Sequence, residues 1–145
     1  MKQYLLISAL LFGFTTFSLA QKKEGDKSSI PAAAKAALTK AFPGATAVKW
    51  DKEKAGYEAE FKLNGKQMSA NFDGQGSMLE SETAIKSSEL PAPALEYIKT
   101  HYKGAKITET AKIVKANGEV NYEAEIKKMD VMFDANGKFL KEVKD

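Results

Sequence analysis

The chain has 145 residues, with 22 lysines, no arginine, 19 acids, one histidine, no cysteine and a net charge of +3. Without cysteine there is no disulfide framework, thiolate metal site or cysteine nucleophile, so stability must come from packing. The lysines are interspersed with acids, and the arginine fork that reads phosphates and guanines bidentately is missing, which points away from nucleic acid.

In chain order, residues 1–20, MKQYLLISALLFGFTTFSLA, read as a signal peptide. Lys2 forms the positive start, Tyr4 to Phe17 the apolar stretch, and Ser18-Leu19-Ala20 a small-residue cleavage site before Gln21. The apolar run is shorter than the roughly 18–20 residues that span a bilayer. The expectation is a periplasmic or secreted protein with no stable membrane insertion after cleavage. Residues 21–29, QKKEGDKSS, offer nothing to bury and read as a flexible leader.

From Ile30 the chain repeats, with unit 1 over residues 30–86 and unit 2 over 87–145. IPAAAKAALTKAFPGA (Ile30 to Ala45) aligns without a gap on LPAPALEYIKTHYKGA (Leu90 to Ala105). YEAEF at Tyr57 returns as YEAEI at Tyr122, and Phe-Asp-x-x-Gly closes each unit at Phe72 and Phe133. Such internal periodicity governs the fold. Each unit opens on a helix: Ala34, Ala37, Leu38, Ala41 and Phe42 recur at helical spacing, matched by Ala94, Ile98 and Tyr102. Pro31 and Pro91 sit near the helix starts, and Gly44 and Gly104 stop the helices.

Alternation with period two follows. Val48 and Trp50 share one face, as do Tyr57, Ala59 and Phe61, then Met68, Ala70 and Phe72. In unit 2 the inward set is Ile107, Ala111 and Ile113, then Val120, Tyr122, Ala124 and Ile126, then Met129, Val131 and Phe133. This is the pattern of antiparallel strands with one packed and one wet face. Lys54-Ala55-Gly56, Asn64-Gly65 and Asn117-Gly118 supply turns, and Asp73-Gly74-Gln75-Gly76 and Asp134-Ala135-Asn136-Gly137 read as short hairpin loops with a bulge. The expected fold is α+β: two tandem units, each a helix and about four antiparallel strands, with the helices on one face and the aromatics in one continuous core.

FPGATAVKW (Phe42 to Trp50), YEAEFKLNGKQMSANFDGQGSML (Tyr57 to Leu79), Leu90-Pro91 and FDANGKFL (Phe133 to Leu140) resemble the PepSY-like proteins, also described as beta-lactamase-inhibitor-like. The likeness covers nearly all of residues 30–145. It implies tandem α+β units and an exported protein, and it carries no contact residues with it.

The residues hold no catalytic constellation. His101 is the single histidine, aligned with Ala41 at a helix boundary, and Trp50 reads as core. Glu58 and Glu60 share one strand face and recur as Glu123 and Glu125. Lysines 49, 62, 112 and 127 nearby make cross-strand ion pairing the expected role for these acids. The expectation is a noncatalytic exported module without metal or cofactor, binding a protein or peptide of the cell envelope. Inhibition of a peptidase or another envelope enzyme is a specific form of this reading. The candidate contact residues, on the polar sheet face, are Lys49, Asp51, Glu58, Glu60, Lys62, Gln67, Ser69, Asn71, Glu123, Glu125 and Lys127. The alternative is a periplasmic small-ligand or metal-ion carrier with a pocket between the units.

Overall fold

A computed structural model describes residues 30–53 and 56–144. The expected signal peptide (1–20), the leader (21–29) and the first two residues of the Lys54-Ala55-Gly56 turn lie outside the described residues. The elements run α1 (Ala32–Ala41), β1 (Thr46–Glu53), β2 (Gly56–Leu63), β3 (Lys66–Phe72) and β4 (Met78–Ala84). After a 3-10 turn at Ser87–Glu89 come α2 (Ala92–His101), β5 (Ile107–Lys115), β6 (Val120–Ile126), β7 (Met129–Asp134) and β8 (Phe139–Lys144). All eight strands form one antiparallel sheet in sequence order. The fold is the expected α+β arrangement, with the two units' strands joined through β4 and β5.

Both helices bury small and branched residues against one face of the sheet. Ile30, Ala34 and Leu38 meet Ala59, Phe61, Ala70 and Phe72; Leu90, Ala94 and Ile98 meet Ala124, Ile126, Val131 and Phe133. Alanine at the contact lets each helix lie close to the sheet, and the large residues fill the space on either side. Ala41 is exposed.

The core is not the continuous body the alternation suggested. It divides into two clusters: the helix-side positions of β4 and β5 between them include Ser81, Thr83, Thr110 and Lys112, and the apolar Val114 there is exposed. Thr110 is buried there and donates through Oγ1 to the Ile85 carbonyl at 2.7 Å. The two units are therefore joined mainly by backbone pairing, from Glu80↔Lys115 to Ala84↔Ala111.

Bulges overturn two of the expected faces. In β1 the register shifts between Thr46 and Lys49, with Ala47 at φ 53°, so Val48 is exposed while Trp50 packs half-buried on Phe72, ring centroids 5.8 Å apart. In β5 the shift between Ile107 and Glu109 inserts one residue. Ile107 then faces the helices, whereas Ala111 and Ile113 turn to the opposite face beside Glu123 and Glu82. One extra residue reverses every later side chain of a strand.

The repeated Phe-Asp-x-x-Gly is a hairpin fitted to a helix start. Asp73 Oδ1 accepts from the amides of Gln75 and Ser77 at 2.9 and 2.8 Å, and Asp134 Oδ1 accepts from Asn136 and Lys138 at 2.9 Å each. A Cβ on Gly76 would stand 2.7 Å from the Ala33 carbonyl oxygen, and one on Gly137 2.8 Å from the Ala94 nitrogen. Both glycines also hold left-handed φ, 86° and 81°. The motif recurs because each unit must bring this loop against its own helix.

Candidate functional site

The sheet face turned away from the helices gathers the polar strand residues. Cross-strand register places Lys49 and Asp51 of β1 opposite Glu60 and Glu58 of β2, and these opposite Ser69 and Asn71 of β3. Lys62 pairs with Gln67 on the same face. Ser69 and Asn71 stand opposite Glu82 and Glu80 of β4. Farther across, Glu123 and Glu125 of β6 are joined by Glu109 of β5 and Asp130 of β7. Of the eleven sequence candidates, ten share this face. Lys127 does not: it lies past the end of β6, in a turn at φ 55°, and is exposed.

This face is not wet along its middle. Ser69 is 1% exposed, Glu82 5%, Glu58 and Asn71 7% and Glu123 8%. Among the described residues no helix covers them, so the strands must curl toward this face until the side chains of neighbouring strands cover one another. Strong twist over eight strands favours such curling. Glu82 of β4 accordingly feels the charges of Glu58 on β2 and Asp130 on β7.

Among the described residues no lysine pairs with Glu58, Glu60 or Glu125; the Lys115–Glu119 pair, at 2.7 Å, lies at the β5–β6 hairpin. Lys112, expected beside the second acid pair, faces the helix side because of the β5 bulge. Several like charges stand directly opposite each other, Asp51 with Glu58, Glu109 with Glu125, and Glu125 with Asp130, while Lys49 faces Glu60 and Lys115 faces Glu80.

The electrostatics follow. Burial pushes the Glu58 carboxyl up to about 7; the Ser69 hydroxyl partly opposes this, and the charges of Glu60, Glu53 and Asp51 add to it. Neither Glu58 Oε1 nor Ser69 Oγ completes a hydrogen bond of good geometry. Glu82 is held well above the usual carboxylate range, first by burial and then by Glu123, Glu80, Glu58 and Asp130. Glu109 rises to about 7 through burial, then through Glu125 and Asp130. Burial also raises Glu80, against the opposing pull of Lys115 and the Asn71 amide, whose Nδ2 donates to Glu80 Oε1 at 3.5 Å.

Sequence reasoning did not pick out Glu80, Glu82, Glu109 and Asp130. Glu80 and Glu82 lie beyond the bulge that follows Asn71, and Glu109 lies beyond that in β5, so their face could not be read from simple alternation. Among the described residues no group of three or more His, Cys, Asp or Glu converges as metal ligands, and no helix is long and apolar enough to cross a membrane. His101 sits exposed at the end of α2, its ring stacked on Tyr97 at 3.9 Å and its Nδ1 2.9 Å from the Tyr97 carbonyl oxygen.

A family model described as "Putative beta-lactamase-inhibitor-like, PepSY-like" matches residues 19–80 and 55–141. A crystal structure described as "putative periplasmic proteins", from Bacteroides eggerthii, is similar at TM-score 0.71 and 19% identity, covering 78% of this chain and 87% of that one. A DUF2874 family protein from Bacteroides uniformis is similar at TM-score 0.70 and 22% identity, covering 78% and 88%. A BLIP-like protein from Bacteroides fragilis is similar at TM-score 0.62 and 28% identity, covering 78% and 85%. No curated protein matches the chain.

Proposed function

The chain belongs to the PepSY-like, beta-lactamase-inhibitor-like family, and from that premise we propose that it is a noncatalytic periplasmic module that binds an envelope protein or peptide through the sheet face opposite its helices. The observation that carries this reading is the placement of like charges. Like charges directly opposite on neighbouring strands destabilise a sheet, yet Asp51–Glu58 and Glu109–Glu125 are built that way, alongside the opposite charges of Lys49–Glu60 and Glu80–Lys115. An acid-rich face without a covering helix is suited to a partner that supplies what the fold withholds. The periplasmic compartment is supported by the signal motif and by the description of the Bacteroides eggerthii neighbour.

Site-specific photocrosslinking in the native envelope tests the reading. A benzophenone side chain at Gln67 or Glu60, at the half-exposed margin of the polar face, is expected to trap one discrete partner; the same probe at Lys40 or Lys99, on the exposed helix surfaces, is not. Adducts from the helix positions alone would move the working surface to the other side of the sheet.

A further inference from the structure

We propose that the free edge of the sheet at β1 pairs antiparallel with β1 of a second copy of this chain, about a two-fold axis at Trp50. This edge is distinct from the polar face, and its pairing stands whichever partner that face binds.

The first observation is that the edge is open. Among the described residues β1 has a strand neighbour on one side only, β2, so alternate amides and carbonyls of β1 point away from the sheet. Every residue of β1 except Trp50 is exposed. The bulge at Ala47 leaves Lys49 to Glu53 in unbroken register, an extended stretch to which a further strand can add. The opposite edge is less ready. In β8 the Phe139 ring is stacked on Tyr97, and Glu142 accepts from the Tyr102 hydroxyl.

The second observation is self-complementary charge. Lys49 and Asp51 flank Trp50, are exposed, and among the described residues enter no ion pair. A two-fold axis at Trp50 sets Lys49 opposite Asp51 of the second copy, twice over, because residues paired across the axis share one face. Asp51 faces Glu58 within its own sheet, and Lys49 of the second copy supplies the opposite charge on its open side. An axis one residue along, at Asp51, would set two aspartates against each other. A lysine on an edge ordinarily discourages strand addition; here each meets an acid. Charge thus fixes the register.

The third observation is apolar. Trp50 packs on Phe72, ring centroids 5.8 Å apart, yet stays partly exposed at the rim of the sheet. Val48 nearby is 40% exposed. Pairing about Trp50 brings the two indoles side by side and lays the Lys52 stem of one copy along Val48 of the other. The helices leave room for this. Because α1 lies over β2 and β3, the two α1 axes would stand four strand spacings apart, about 19 Å. The same number of strands separates α1 from α2 within one chain.

The chain has one tryptophan and no cysteine, which makes two readouts clean. Sedimentation equilibrium of the exported protein, from micromolar to millimolar concentration, is expected to show monomer and dimer in exchange, with Trp50 emission shifting in step. Chains carrying Lys49→Cys mixed with chains carrying Asp51→Cys are expected to form a disulfide-linked dimer under mild oxidation. Either variant alone is expected not to, since like positions of the two copies lie beyond the roughly 7 Å that a disulfide spans. Asp51→Lys is expected to weaken the dimer by about tenfold or more, through like charges set opposite each other. Adding Lys49→Asp to that variant is expected to restore the dimer, which a merely misfolded chain would not allow. A monomer at every concentration, no link in the mixed sample, linking within Lys49→Cys alone, or failure of the exchange to restore the dimer would each overturn the pairing.

Discussion

Glu109 on β5 and Glu125 on β6 stand directly opposite each other in the antiparallel register, and Asp130 on β7 faces Glu125 from the other side. Burial, and then the charges of Glu125 and Asp130, push the Glu109 carboxyl up. Glu58 and Glu109 rise from an ordinary value of 4.5 to about 7 in the folded chain. Between those values the native state holds protons that the unfolded chain releases. The stabilisation is therefore complete below about pH 4.5 and is lost as pH rises through 7.

Urea unfolding should accordingly show stability declining from pH 5 to pH 8, with Glu58 alone contributing at most about 3 kcal/mol. Glu109→Gln should raise the midpoint at pH 8 and leave it nearly unchanged at pH 4.5. A flat profile, or a midpoint that climbs with pH, would mean that these acids remain ionised in the native state.

The hairpin glycines should tolerate no side chain. Gly76→Ala and Gly137→Ala each force a Cβ against helix backbone and hold an L-residue at left-handed φ. A loss of about 2 kcal/mol or more is expected for each. Gly74→Ala is the control, because nothing lies within 4 Å of a Cβ there. Thermal melts of the three variants decide the point.

The two-residue turn between β6 and β7 can be improved. Lys127 and Lys128 both adopt left-handed φ, 55° and 61°, where unit 1 uses Asn64-Gly65. Replacing Lys127-Lys128 by Asn-Gly should stabilise the chain by about 1 kcal/mol, since that pair suits a turn with both central residues at positive φ. No gain in the denaturation midpoint would show that the lysines adopt this conformation at no cost.

The divided core should make unfolding partly local. Phe133→Ala, at a fully buried position of the second cluster, should cost about 3–5 kcal/mol. Trp50→Ala, half-buried on edge strand β1, should cost roughly half as much. Amide exchange should then quicken in β6–β8 for the first variant and in β1–β3 for the second. Equal acceleration across all eight strands would show that the backbone pairing between β4 and β5 couples the units as tightly as a shared core.

Much of this could be read along the chain. The duplicated helix, the period-two strands and the repeated Phe-Asp-x-x-Gly specify local conformation, and each is written in neighbouring residues whose spacing survives any arrangement of the sheet. The family resemblance rests on those same local features. What the alternation could not carry was phase across a bulge: the single insertion between Ile107 and Glu109 sent Ile113 to the acidic face and Lys112 to the helix side. Nor could it show that Glu58, Ser69 and Glu123, which read as solvent-facing, would be buried. Burial on a face that no helix covers depends on how eight twisted strands curl together. That curling sums small rotations over the whole sheet and is encoded at no single position, so the acidic site exists only once the tertiary structure has formed.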